Sequence, residues 1–308
     1  MPPENLAGRS IAGYRLIERV GEGGTATVYR SHHDRHGTCA VKTLRERLRA
    51  DPTAVKRFLR EAEYGGRVQH AGVVRTFDYG QDEGVHYLAL EWVEGAPLSQ
   101  AVLQRGNLPT DEVVEIVRQL ADALAATHAV GIIHRDLKPE NIIYDPATRR
   151  VKLLDFGIAR DAQESTSERL TRAGFFVGSL QYVSPEALSG ELVAEAADIY
   201  SLATITYYLL TGTHPYPGRT PRELFQQLLS GEPRPLNQAT GGKVRFPAAL
   251  ETAVMKGLAR NPADRQASVT GFAADVAVAG GPQQPTGPAT TAGLLGTLRS
   301  WMTGKDKA

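Results

Sequence analysis

The chain has 308 residues, 35 Lys and Arg against 34 Asp and Glu, and a formal net charge of +1. That length holds one large domain or two packed lobes, and the even charge excludes the basic excess of a general nucleic-acid binder. Its one cysteine, Cys39, excludes an intrachain disulfide and a cysteine metal cluster, and fits a reducing, cytoplasmic setting.

The opening MPPENLAGRS has no apolar run of the kind a signal peptide carries. The YRLIERV segment from Tyr14 alternates apolar and polar residues, glycines follow, and TATVYR alternates again. The glycines therefore join two strands. HHDRHG reads as a turn and TCAVKTL as a third strand. Residues 52–64 predict a helix with Pro52 in its first turn, followed by strand-like VVRTFDYG and VHYLALEWV. The three histidines 32, 33 and 36 sit in a turn without a second cluster, so they predict no metal site, and Cys39 reads as a small strand residue.

Beyond Gly95 the character turns helical. Residues 111–129 carry apolar residues at helical spacing, with Thr110 as candidate N-cap, acids in the first turn and Gly131 past the end. The apolar run IYSLATITYYLL, 199–210, is shorter than the roughly 20 residues of a spanning helix. It predicts a buried core helix over 196–210 and no transmembrane segment. TPRELFQQLL has Thr220 at a cap, Pro221 first in the helix and Glu223 three after the cap, a capping box. Residues 247–259 and 268–279 predict two more helices. Strands first and helices later indicate an α+β chain. The expected organisation is an extension at 1–10, a two-lobed unit at 11–279 (11–94 and 95–279), a Pro/Gly/Thr linker at 280–291, and a tail at 292–308. In the tail Leu294, Leu295, Leu298, Trp301 and Met302 share a helical face, a candidate anchor or docking helix too short to hold alone.

The loop VGEGGTATVYR, 20–30, has glycines at 21, 23 and 24 and alanine at 26, where G-x-G-x-x-G would end. Such a pattern alone serves a phosphate loop or a plain turn. A dinucleotide fingerprint is excluded: the loop runs into a strand, and the residue about twenty further on is Lys42 rather than an acid.

The segment HRDLKPENIIYDPATRRVKLLDFGIAR, 134–160, places Asp136, Lys138, Asn141 and Asp155 within about twenty residues. Phosphoryl transfer from ATP needs oxygen ligands for divalent metal, a group facing the attacking hydroxyl, and a cation near the transferred phosphate. Any one of these residues alone is an ordinary turn residue. Together, HRDLKPEN with DFG fourteen residues after Asn141 matches the protein-kinase signature set.

On these motifs the chain resembles the eukaryotic-like serine/threonine protein kinases of bacteria, over about residues 11–279. The resemblance implies a bilobal kinase fold, with a small antiparallel β lobe bearing one main helix and a larger, mostly helical lobe. It implies Asp136 as catalytic base, Lys138 on the γ-phosphate, and Asn141 and Asp155 as ligands of Mg²⁺ (or Mn²⁺). Lys42 resembles the strand lysine on the α- and β-phosphates, with Glu61 as its ion-pair partner. The flap Val20, Gly21, Glu22, Gly23, Gly24, Thr25, Ala26, Thr27 and Val28 would cover ATP, with Ala26 tuning its mobility. Val28 and Ala40 would sandwich adenine, Leu90 would be the gatekeeper, and the Glu91 and Val93 backbones would pair with the base. Arg265 resembles the partner of Glu186 in SPEAL, and Asp198 the brace of the catalytic loop.

DLKPEN implies Ser/Thr hydroxyls of protein substrates, and Ser179 stands where the family usually has threonine. A catalytically weak scaffold of the same fold would need a lost catalytic residue, and none is lost. A small-molecule kinase would generally lack the long activation segment and SPE. The resemblance also implies signalling by autophosphorylation in trans between two copies. Arg135 and Arg160 would receive a phosphate on Ser165, Thr166, Ser167 or Thr171, with Thr171 the best match. One departure stands out: Gly65 puts no side chain where the family packs one. Gly65 and Gly66, each costing up to ~1 kcal/mol in a helix interior, predict a weakly set helix there.

Overall fold

The structure, a computed structural model, describes residues 4–154, 180–191, 193–218 and 220–280. The small lobe is built from β1 (Ser10–Ile11), β2 (Tyr14–Glu22), β3 (Ala26–His33), β4 (Gly37–Leu44), α1 (Pro52–Arg67), β5 (Thr76–Asp82) and β6 (Val85–Glu91). Its antiparallel sheet has six strands in the order β1-β2-β3-β4-β6-β5. Strand alternation sorts the side chains onto two faces. Tyr14, Leu16, Tyr29, Cys39, Val41 and Tyr87 pack on one. Ala26, Leu44 and Leu88 pack on the other, against Phe58 and Ala62 of α1.

Asp51 caps α1 by accepting the Thr53 N–H at 2.9 Å, with Pro52 as the first helical residue. The helix runs three residues beyond the expected end at 64, through Gly65 and Gly66, and Gly65 is buried. Packing on the sheet outweighs the low helix propensity of the two glycines. The strand expected from Val73 begins only at Thr76. The preceding residues cross to the other lobe instead: Val74 N–H donates to the Leu153 carbonyl at 3.0 Å, and Leu153 N–H to that of Gly72 at 2.8 Å.

The large lobe contains β7 (Ala96–Pro97), α2 (Leu98–Arg105), α3 (Thr110–Ala129), β8 (Ile142–Asp145), β9 (Arg150–Leu153), α4 (Pro185–Ser189), α5 (Glu195–Thr211), α6 (Pro221–Ser230), α7 (Leu236–Ala239), α8 (Ala248–Gly257) and α9 (Val269–Gly280). Strands β7, β8 and β9 form a second sheet in that order. Helix α5 is apolar nearly all round and buried along its length, as its composition requires. Its hydroxyls return to their own helix, Thr204 to the Tyr200 carbonyl at 3.0 Å and Thr206 to that of Leu202 at 2.8 Å. At Gly257 α8 packs tightly on α5 and α9: a Cβ there would stand 2.7 Å from the Ala203 Cβ and 2.8 Å from the Phe272 ring.

Two cap expectations resolve differently. Thr220 accepts the Glu223 N–H at 3.2 Å, as the capping pattern requires. Thr110, in contrast, is the first helical residue and caps nothing. Pro109 stands at the cap, its fixed φ of −57° already set for entry, and its carbonyl accepts the Val113 N–H at 3.0 Å. Gly280, expected to open the linker, is instead the last residue of α9; the rest of the linker, the tail, Asp155, Arg160, Ser179 and the candidate phosphorylation sites lie outside the described residues.

Candidate active site

The site is assembled where the two lobes meet. In β4, Ala40, Lys42 and Leu44 share the face turned to α1. Lys42 Nζ donates to Glu61 Oε1 at 2.6 Å, with side chains only 10% and 15% exposed. Charges so little hydrated persist only when paired, and this pair fixes α1 against the sheet. Register places Val28 opposite Lys42, and Leu90 opposite Ala40. Val28, Ala40, Lys42 and Leu90 thereby share one patch on the underside of the sheet. The glycine segment is a β-turn-β flap: Glu22 pairs with Thr27, Gly21 with Val28, and Gly23 N–H closes the tip on the Ala26 carbonyl at 2.8 Å.

Below it lies the loop His134–Asn141. Asp198, fully buried in the first turn of α5, accepts the His134 N–H at 2.9 Å and the Arg135 N–H at 3.0 Å. Between those two grips Arg135 takes φ 61°, a left-handed conformation unusual for a side-chain-bearing residue. Capture of successive N–H groups by one buried carboxylate holds that strained turn. The turn presents Asp136, whose Oδ2 receives Lys138 Nζ at 2.8 Å and Asn141 Nδ2 at 3.1 Å. Asn141 Nδ2 also reaches the Asp136 carbonyl at 2.9 Å. Leu154 N–H bonds the Asn141 carbonyl at 2.8 Å, and His134 Nε2 lies 3.2 Å from the Leu154 carbonyl. The residue preceding Asp155 is thus tied to the loop.

Removing the brace has a calculable cost. Asp198→Ala takes the acceptor from two backbone N–H groups, one buried and one partly buried, at a strained turn. The expected loss is about 3 kcal/mol of unfolding free energy, from ~1–3 per unmet group. Urea unfolding checks this, with Asp198→Asn expected to fall between the variant and the parent.

Residues 14–267 match the profile of the family described as Protein kinase domain. The chain belongs to that family. This kinase domain is 36% identical over 281 residues to the serine/threonine-protein kinase pkn3 of Myxococcus xanthus, covering 89% of this chain and 51% of that protein. It is 36% identical over 291 residues to the serine/threonine-protein kinase PknB of Mycobacterium leprae, covering 93% and 45%. The chain thus spans about half the length of these curated relatives. Among solved structures, a Mycobacterium tuberculosis PknI kinase domain superposes with TM-score 0.68 at 29% identity, covering 89% of this chain and 98% of that one. Rad53 1-466 in complex with AMP-PNP does so with TM-score 0.68 at 28% identity, covering 85% and 64%. The expected bilobal fold, a sheet lobe and a helical lobe, is the fold observed.

Other features of the kinase domain were invisible along the sequence. His128, in the last turn of α3, sets Nε2 2.8 Å from Asp198 Oδ2 and completes the brace from seventy residues away. Glu91 turns its carboxylate onto Lys152 of β9, with Nζ–Oε2 at 2.6 Å, while its own N–H bonds the Arg75 carbonyl at 2.9 Å. This pair ties the strand end at Glu91 to the strand leading into Asp155.

Arg265 and Glu186 meet in a buried bidentate pair at 2.7 and 2.8 Å. The guanidinium also bonds the Ala196, Ala259 and Arg260 carbonyls and lies 5.0 Å from the centre of the Tyr200 ring. His214 rests on Tyr208 with ring centres 4.6 Å apart and meets the Tyr182 hydroxyl at 3.0 Å. Burial pushes its pKa down to about 4, so near neutral pH it is an uncharged wedge behind residues 180–184. Cys39 is buried and its thiol is pushed up to about 11 by desolvation, which keeps it unreactive. His33 and His36 are packing residues, stacked between Tyr14 and Phe77. Among the described residues no cluster of His, Cys, Asp or Glu could hold a metal, and no helix is long and apolar enough to cross a membrane.

Proposed function

We propose that this chain transfers the γ-phosphoryl group of ATP, bound with Mg²⁺ or Mn²⁺, to serine and threonine hydroxyls of protein substrates. The observation that carries this reading is the simultaneous presence of two preset clusters. Lys42–Glu61 is closed at 2.6 Å under the flap, and Asp136 is held by Lys138 and Asn141 within 3.1 Å. Phosphoryl transfer asks a protein mainly for positioning and electrostatics, so preset charged groups are what the chemistry needs.

Asp136 orients the attacking hydroxyl and accepts its proton. Lys138, already 2.8 Å from that carboxylate, offsets charge on the transferred group. Lys42, kept in place by Glu61, holds the α- and β-phosphates. Val28, Ala40 and Leu90 form the apolar patch for adenine, with the Glu91 and Val93 backbones pairing to its edge. Asn141 suits a hard cation: its Nδ2 is directed at the two Asp136 oxygens, which turns Oδ1 the other way. Asp155, next to the anchored Leu154, is proposed as the second metal ligand. The divalent ion supplies neutralisation of the phosphate charge.

We further propose that copies phosphorylate one another within 161–174, most readily at Thr171, as a signalling step. The experiment is incubation with radiolabelled ATP, a divalent cation and a generic acceptor protein, followed by phosphoamino-acid analysis and peptide mapping. Phosphoserine and phosphothreonine are expected, with autophosphorylation confined to 161–174 and rising steeply with enzyme concentration. Label no greater than in Lys42→Met, or label on tyrosine, overturns the reading.

A further inference from the structure

Two arginines outside every role above grip the tip of the glycine flap. They follow β4 directly. Arg45 N–H donates to the Thr25 carbonyl at 3.0 Å. Its guanidinium donates to the Gly23 carbonyl at 3.2 Å and pairs with Glu22 at 2.8 Å. The Arg47 guanidinium donates to the Gly24 carbonyl. Glu22 also takes Arg19 at 2.7 Å, so it is held from two sides. The carbonyls of Gly23, Gly24 and Thr25 are therefore all bound by one segment.

A peptide unit is planar, and none here is cis. Each bound carbonyl consequently sends the next residue's N–H the opposite way. The N–H groups of Gly24, Thr25 and Ala26 turn away from the arginines as a consecutive set, the arrangement that receives an anion. Space does not explain the glycines. A Cβ on Gly24 would meet nothing within 4 Å, and one on Gly23 only the Ala26 carbonyl at 3.6 Å. The glycines supply freedom, which costs the most entropy to lose on ordering. The arginines restrain that freedom. Fold stability does not explain them either: Arg47 is exposed, the Arg45–Glu22 pair is about a quarter exposed, and such pairs contribute little.

We infer that Arg45 and Arg47 are positioning residues that hold the flap with its N–H groups toward the triphosphate and so govern nucleotide release. This rests on the ATP reading above. The test is stopped-flow displacement of a ribose-labelled fluorescent ATP analogue, with amide hydrogen exchange over 23–27 and thermal melting alongside. Arg45→Ala combined with Arg47→Ala is expected to release nucleotide roughly tenfold faster and raise KM for ATP by a similar factor. With nucleotide bound, exchange at Gly24 and Thr25 speeds up, while Ala26, which follows the Thr25 carbonyl held by the Arg45 backbone N–H, changes little; kcat at saturating ATP and the melting temperature stay near those of the parent. Arg45→Lys, which keeps charge but loses the two-point grip, falls between. If the double variant melts without cooperativity, the exposed Arg47→Ala alone carries the exchange and release measurements. Unchanged release and exchange in folded variants overturn the inference and leave the ATP reading intact. A parent protein that binds no nucleotide overturns both.

Discussion

Asp136→Asn is expected to lower kcat by roughly 10²- to 10⁴-fold, the range attributed to a positioned general base. The substitution keeps the shape of the side chain and an oxygen for Lys138 and Asn141, which approach within 3.1 Å. What it removes is the carboxylate proposed to take the hydroxyl proton. The groups assigned to ATP lie elsewhere: Lys42 and Glu61 on β4 and α1, the flap, and the patch of Val28, Ala40 and Leu90. Nucleotide affinity should therefore change by no more than about twofold. Single-turnover transfer measured beside equilibrium nucleotide binding separates the two quantities. A variant that loses binding in parallel with rate would show that Asp136 supports the nucleotide site rather than the chemistry.

Arg265→Met is expected to cost about 3–5 kcal/mol of unfolding free energy, the usual price of stranding one member of a buried pair. Glu186 is 5% exposed and accepts both guanidinium nitrogens, and three backbone carbonyls lose their donor in the same step. Removing the stranded carboxylate as well, with Glu186→Leu, should recover part of the loss, because uncompensated charge is the larger share of it. Denaturant unfolding of the parent, the single and the double variant gives the answer. A single-variant loss below about 1 kcal/mol would mean that the pair is marginal to the large lobe.

What the sequence disclosed depends on the range over which each feature is encoded. The strand carrying Lys42 was legible because alternation assigns each residue a face, and Lys42 could only point where Ala40 and Leu44 point. The capping pattern at Thr220 was legible because its partner lies three residues away. Thr110 was misplaced because proline before it sets the helix entry without needing a side-chain cap. The end of α1 was misjudged because two glycines in succession read locally as a stop, whereas the burial of Gly65 is a property of the folded chain. Two-residue strands such as β1 and β7 carry no period at all. The short helix α2 follows Pro97, which provides no side-chain cap, and its eight residues barely define a face.

The grouping of Asp136, Lys138 and Asn141 was legible by motif, yet its supports were not. His128 on Asp198, Lys152 on Glu91 and Arg45 on the flap tip join residues far apart in sequence, and no local pattern marks any of the three. The strained φ at Arg135 belongs to the same class, since only the position of Asp198 makes it tolerable.

The most direct test puts nucleotide binding and transfer on the same sample. Purified protein is mixed with Mg²⁺ and radiolabelled ATP, binding is measured by equilibrium titration, and acceptor labelling is followed for the parent, Lys42→Met and Asp136→Asn. The account predicts labelled serine and threonine with the parent alone, nucleotide binding retained in Asp136→Asn and weakened in Lys42→Met. A parent that binds ATP yet labels the acceptor no more than the two variants would contradict it, and would make the domain a nucleotide-binding scaffold.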